Sequence, residues 1–302
     1  MQNFSTLSEV TVIIPTMATA ERGEMLKRAI QSVRDSSKNS ISIVAIINGN
    51  KHDDELCIWL SKQHDVIVET IALPSAPNAI SKGRELVCTK YFSTLDDDDE
   101  YLPGSTDRKL IALKSSPKAD LVIGNCFNCV SGADEMRFRK LAEVEKNPFE
   151  ILMSFNWLTS NNSLYRTSSI EKKYFENYAD YAEWTWLAFK LMMDDKQLLV
   201  IDEPLARCHV DTPNSLSKSK AYEQFYIYLF NRMLATSPPF NIRIAISKKM
   251  AAAYHCASEV ELTEGRIFNA WKNHFLSLKH SGGFKYINYT RHLIAKKFYN
   301  WY

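Results

Sequence analysis

Five consecutive carboxylates, Asp96, Asp97, Asp98, Asp99 and Glu100, follow directly on the short apolar run 92–95 (Phe-Ser-Thr-Leu). Carboxylates crowded this closely repel one another and cannot be sealed together in an apolar core. The run must therefore be a loop at the end of a strand. In a parallel sheet that is the edge where ligands collect. A hard divalent cation would relieve the repulsion, and Mg2+ and Mn2+ both favour carboxylate oxygens and bridge to diphosphates. A solvated acidic loop is the competing reading if position is ignored.

The chain around the acid run alternates between two periodicities. Val10-Thr-Val-Ile-Ile14 is a β-branched run that Pro15 should stop. Met25, Leu26, Ala29, Ile30 and Val33 share one face of a helix over 24–33. A second strand over 41–47 ends at the turn former Asn48-Gly49-Asn50. A helix is predicted over 54–64, a strand over 66–73, a helix over 79–91 and a strand over 121–124. Strands alternating with helices imply a mostly parallel sheet covered on both faces. The turns after Ile14, Ile47 and Leu95 then lie at one edge and converge on one crevice.

From about Ser217 the texture changes. Tyr222, Phe225, Tyr226 and Leu229, then Ile267, Ala270, Trp271, Phe275 and Leu278, recur at helical spacing, which predicts a helical C-terminal region. After Glu264 the chain has no carboxylate, so a basic end follows a near-neutral body although the net charge is only +2. Residues 281–302 mix Lys285, Arg291, His292, Lys296 and Lys297 with seven aromatics, a composition suited to peripheral contact with an anionic membrane. Packing on the catalytic domain or a dimer contact are the alternatives. Nucleic acid is not an expected partner, because the basic face is narrow and the acid run opposes it.

With 45% apolar and 24% charged residues the chain has the balance of a soluble globular protein. The N-terminus has no basic n-region, and no stretch reaches the roughly 18 apolar residues of a span, so a cytoplasmic setting with reduced cysteines is expected. Cys126 and Cys129 form a C-x-x-C, but no second pair completes a zinc site, and buried thiols are the better reading.

The segment Leu95-Asp96-Asp97-Asp98-Asp99, followed by an aromatic and Pro103, resembles the D-x-D-D segment of family 2 glycosyltransferases of the GT-A fold. Val12-Ile-Ile-Pro-Thr16 resembles that family's first strand and turn, and 25–33 its first helix. Gly83 stands where the family often has a glycine, and Trp184 to Leu191 resembles its aromatic-rich helix. Arg207, His209 and Ser215-Leu-Ser217 resemble the end of its catalytic domain. The likeness spans residues 10–217. It implies an α/β chain with a mostly parallel central sheet. Residues 1–216 would be the catalytic domain, with a nucleotide-binding half of about 1–125 and an acceptor half of about 126–216, and 217–302 a helical appendage.

The resemblance also implies roles. Pro15 and Thr16 would line the base and ribose pocket, with Arg22, Asn48, Ser81, Asp96 and Asp97 as further contacts to a nucleotide-diphospho-sugar donor. Asp98 and Asp96, with His209, would hold Mg2+ or Mn2+, and Asp99 would support them or touch the sugar. Asn161 and Asn162 would line the site of a glycan or lipid-linked acceptor. The family's acid at the end of the second strand is here Ile47 followed by Asn48, and its A-R-N triplet is Ala79-Ile80-Ser81.

Inverting transfer needs a general base for the acceptor hydroxyl. The family's E-D pair is missing, and Ala182-Glu183-Trp184 aligns best with it. This makes Glu183 the expected base and Asp180, one turn earlier, its rival. The expected activity is metal-dependent inverting glycosyl transfer in bacterial polysaccharide or lipopolysaccharide synthesis. A sugar nucleotidyltransferase would need a richer basic glycine loop than Met17–Gly23 offers, and a decayed binding protein on the same fold is the third reading.

Overall fold

The computed structural model describes residues 8–178, 182–212 and 221–299. The chain divides into two compact units, residues 1–178 with 183–215, and residues 179–182 with 216–302.

The first unit begins with β1 (Val10–Thr16), α1 (Gly23–Asp35), β2 (Ser42–Asn48), α2 (Asp54–Ser61), β3 (Val66–Ile71), α3 (Ala76–Leu86) and β4 (Tyr91–Thr94). The acid run leads into β5 (Glu100–Tyr101) and α4 (Ser105–Ser115). Then come β6 (Leu121–Val130), β7 (Ala133–Met136), α5 (Leu141–Val144), α6 (Pro148–Leu152), β8 (Ser163–Arg166), α7 (Glu183–Met193) and β9 (Leu198–His209). The strands form one sheet in the order β3-β2-β1-β4-β8-β6-β9-β5, with β7 paired to β6. Strands β1 to β4 run parallel, as do β6 and β9, while β8 and β5 are antiparallel to their neighbours. The fold is thus α/β with a mostly parallel central sheet, as the alternation implied.

Every residue of β1 and β2 is buried, which is why both read as continuous apolar runs. Among the boundaries that differ from the sequence reading, three bear on the sheet and what packs on it. Strand β1 runs through Pro15, which pairs with Ile46. The Ile13 carbonyl accepts from the Leu95 N–H, so odd-numbered residues of β1 face β4. β4 pairs no further than Ile13, so the missing N–H of Pro15 costs no ladder bond. Helix α3 starts at Ala76, capped by the Ser75 hydroxyl, and stops at Leu86 rather than 91. β6 continues to Val130, carrying both cysteines of the C-x-x-C into the sheet, where they are buried.

Helix α3 lies tightly on the sheet because Gly83 has no side chain: a Cβ there would run into Ile13 Cγ2. Ala79 of the same helix packs on Val44 and Ile46. Arg84 is buried, donates to the carbonyls of Thr167 (3.0 Å) and Ile170 (2.9 Å), and stacks 4.6 Å over the Phe92 ring.

The second unit is helical: α8 (Ala221–Ala235), α9 (Phe240–Thr263), α10 (Ile267–Lys279), a 3-10 turn (Gly283–Tyr289) and α11 (Thr290–Tyr299). Leu262, Ala270 and Leu293 form its small core, flanked by Trp271 and Tyr289. Two serines lock α9 to α10, Ser258 donating to the Ala270 carbonyl and Ser277 to that of Ala251, both at 2.7 Å. Gly283 passes so close to the Ser277 carbonyl that no Cβ would fit. The predicted tail segment 281–302 therefore contributes in part to packing, through Leu293.

Candidate active site

The carboxyl ends of β1, β2 and β4 bring together the turn after Thr16, Asn48 and the acid run. Thr16 is buried; its hydroxyl donates to Asp97 Oδ2 (2.6 Å) and accepts from the Ala18 N–H (2.9 Å). Ala18 reaches that position with φ of 48°, a left-handed conformation that a side chain rarely adopts. Asn48 Nδ2 donates to the Thr16 carbonyl at 3.0 Å. Both Asn48 and Thr16 thus buttress the turn, while Pro15 lies buried within the strand. Ser81 sits half-buried on α3.

The loop 96–99 closes on itself through the Asp99 N–H and Asp96 carbonyl (3.1 Å), and its acids take different partners. Asp97 is buried and gripped by Arg22, whose Nε lies 3.1 and 3.0 Å from the two oxygens. Arg22 also reaches Asp98 Oδ2 at 3.3 Å. Asp99 is buried and accepts from Asn161 Nδ2 (2.7 Å) and the His209 backbone N–H (2.9 Å). Glu100 meets His209 Nε2 at 2.7 Å and Arg28 at 3.2 Å. Asp96 accepts from the Ser160 hydroxyl at 2.6 Å. Ser160 was not singled out in the sequence; nothing marks a serine 64 residues away as a partner until the sheet pairs β4 with β8.

Burial raises the carboxyl pKa of Asp96, to about 7, helped by repulsion from Asp98, Asp97 and Glu183. Burial likewise raises Asp97, against the pull of Arg22, and Asp99 well above the usual range. At Asp96 the charge of Glu183, the first residue of α7, is the smallest of these contributions. Asp180 lies outside the described residues.

Asn161 and Asn162 are fully buried. Asn161 joins Asp99 to Cys208 Sγ (2.9 Å), and Asn162 donates to the Trp157 carbonyl (2.8 Å) and accepts from the Thr159 N–H (3.0 Å). Their amides face the interior and hold the loop's scaffold. The concave surface beside Glu183 is elsewhere: a shallow, open recess lined by Pro77 and Ile80 of α3, Tyr174, Phe175, Tyr178, and Glu183, Trp184, Trp186 and Leu187 of α7. Trp184 and Trp186 were legible as an aromatic helix; the tyrosines were not.

The donor set suits a hard cation. Asp97 and Asp99 are engaged by the protein, and His209 gives its ring nitrogen to Glu100. Asp96 and Asp98 are held more lightly, by the Ser160 hydroxyl and by Arg22 at 3.3 Å respectively, and repel one another. Among the described residues no three His, Cys, Asp or Glu side chains converge to cage a metal. Two carboxylates completed by water and phosphate oxygens are a usual Mg2+ arrangement.

The family model described as Glycosyl transferase family 2 matches residues 11–179. No curated protein matches the chain significantly in sequence. Among solved structures, S. aureus TarS 1-349 in complex with UDP-GlcNAc shares 14% identity at a TM-score of 0.58, over 74% of this chain and 66% of that one. S. aureus TarS itself gives 12% and 0.53 over 74% and 39%. TarS 1-349 alone gives 13% and 0.53 over 82% and 80%. The chain thus spans less than two thirds of the first two of these. At such identities the likeness concerns the fold.

Proposed function

Because the chain belongs to glycosyl transferase family 2, we propose that it moves a sugar, with inversion, from a nucleotide-diphospho sugar to a glycan or lipid-linked acceptor. Asp96 and Asp98 would hold Mg2+ or Mn2+, whose charge would offset that of the departing diphosphate. Pro15 and the turn of Thr16 face the nucleotide. Glu183 takes the proton of the acceptor hydroxyl as that oxygen attacks the anomeric carbon and the bond to the diphosphate breaks. The aromatic recess beside Glu183 seats the acceptor, its rings covering the apolar face of a sugar and excluding water from the attack.

The observation that carries this reading is the acid run at the carboxyl ends of β1, β2 and β4, where Asp96 and Asp98 repel one another and suit a metal-bound diphosphate. Glu183, which lines a recess of its own, is the carboxylate assigned to proton transfer. The triphosphate-cradling alternative loses support because Arg22 is spent on Asp97 and Asp98. The proposed setting is bacterial surface polysaccharide or lipopolysaccharide synthesis at the cytoplasmic side of a membrane. Among the described residues, no helix is long and apolar enough to cross one.

The test is release of nucleoside diphosphate from a panel of nucleotide sugars with Mn2+ and acceptor glycans, paired with melting temperatures for each nucleoside diphosphate. Turnover that needs both donor and cation supports the reading. Metal-dependent nucleotide binding with no turnover on any acceptor of the panel would favour the non-catalytic binding protein.

A further inference from the structure

We infer that helix α10 is a membrane-docking face for anionic phospholipid, with Phe268, Lys272, Phe275 and Lys279 as its contact stripe. At about 100° per residue these four positions fall within an arc of about 60° and extend about 16 Å along the helix. Ala270, His274 and Ser277 occupy the opposite side and are buried against the rest of the helical unit. Phe268 is 82% exposed and Phe275 55% exposed, although both are side chains that ordinarily seek cover. Lys272 and Lys279 are exposed between and beyond them. Phe284, 75% exposed, and Lys285 follow in the next turn of chain.

The chemistry of the stripe selects its partner. The nearest acids, Glu261 and Glu264, are both paired by Arg266 at the start of α10. No carboxylate occurs after Glu264. Every formal side-chain charge beyond that point in the sequence is therefore positive. A phenylalanine-lysine stripe of this kind buries rings at the depth of the acyl boundary and leaves ammonium groups level with lipid phosphates. A second copy of the chain fits less well, since two stripes face to face would gather four lysines with no carboxylate among them. The contact lies on a packed helix whose buried side is fixed by Ser277 and His274. It differs from the earlier expectation for 281–302, and it does not depend on the transferase reading.

The experiment is co-sedimentation of the full chain with vesicles of phosphatidylcholine alone and of phosphatidylcholine with 30–40% phosphatidylglycerol (about the range that gives a strongly negative surface). The wild type should bind the anionic vesicles, and high salt should release it. Phe268→Ser with Phe275→Ser, and separately Lys272→Glu with Lys279→Glu, should each lower partitioning more than about tenfold. Phe240→Ser removes an equally exposed ring (72%) at the start of α9 and should leave binding unchanged. Unfolding midpoints confirm that each variant folds. Failure of the wild type to bind anionic vesicles overturns the inference, as does equal binding by all variants. A dimer in solution that the phenylalanine variants dissolve also overturns it, because the stripe would then be a self-contact.

Discussion

Arg22 grips Asp97 with its Nε 3.1 and 3.0 Å from the two carboxylate oxygens, so the second acid of the run is a strut and not a free ligand. Removing the cation leaves a buried, uncompensated carboxylate. Arg22→Ala should cost about 3 kcal/mol in urea unfolding. The double variant Arg22→Ala with Asp97→Ala should recover part of that loss, because the stranded charge is gone. Strictly additive costs would mean the two residues act independently.

Asp98→Asn should keep the fold and lose cation-dependent nucleotide binding. Asp98 is less buried than Asp97 and stands in a field of like charge, so neutralising it relieves repulsion. Calorimetric titration of nucleoside diphosphate with and without Mn2+ reads the effect. An unchanged metal increment would remove Asp98 from the metal site.

Glu183→Gln should retain donor affinity and lose transfer by about 10²- to 10⁴-fold, since the amide keeps the shape but accepts no proton. Asp180→Asn should be milder. The reverse order in initial rates, with donor affinity intact in both variants, would assign the base to Asp180.

Gly83→Ala should destabilise the protein by about 1–3 kcal/mol, because its Cβ meets Ile13 Cγ2 in a closed core. The same substitution in an Ile13→Ala background should cost less, as the obstructing methyl is gone. Thermal or chemical unfolding of the four proteins of this cycle decides it.

Lys109 is fully buried, its ammonium lies 4.3 Å over the Tyr101 ring, and burial lowers its pKa to about 7. The folded state therefore releases a proton that the unfolded state holds up to about pH 10.4. The penalty is complete below pH 7 and fades as pH rises from about 7 to 10.4. Lys109→Met should stabilise the protein at pH 7 and remove an increase of up to about 1.4 kcal/mol per pH unit from its alkaline stability profile. An unaltered profile would place the ionisation elsewhere.

The sheet and the acid run were legible because each is a local signal: buried parallel strands announce themselves as β-branched runs, and five adjacent carboxylates admit few explanations. The division of labour inside the run was not. It is decided by Arg22, Ser160, Asn161 and His209, which arrive from three separate segments. Asn161 and Asn162 illustrate the limit most clearly. An asparagine pair before a strand reads equally well as a solvent-facing turn or as an interior brace, and only the paired strands show the amides turned inward. The extent of β1 was misjudged for a similar reason, since whether a proline ends a strand depends on how far its neighbour pairs.

The acid loop is anchored at both ends. The Leu95 N–H is tied to the Ile13 carbonyl at 3.0 Å, and Glu100 and Tyr101 are in register with Arg207 and Ala206 of β9. Four aspartates fill the span between these moorings. Substitution within it changes one partner at a time, but inserting or deleting a residue would rotate every later side chain and exchange which acids face Arg22, Ser160 and Asn161. The loop should consequently accept changes of spelling far more readily than a change of length.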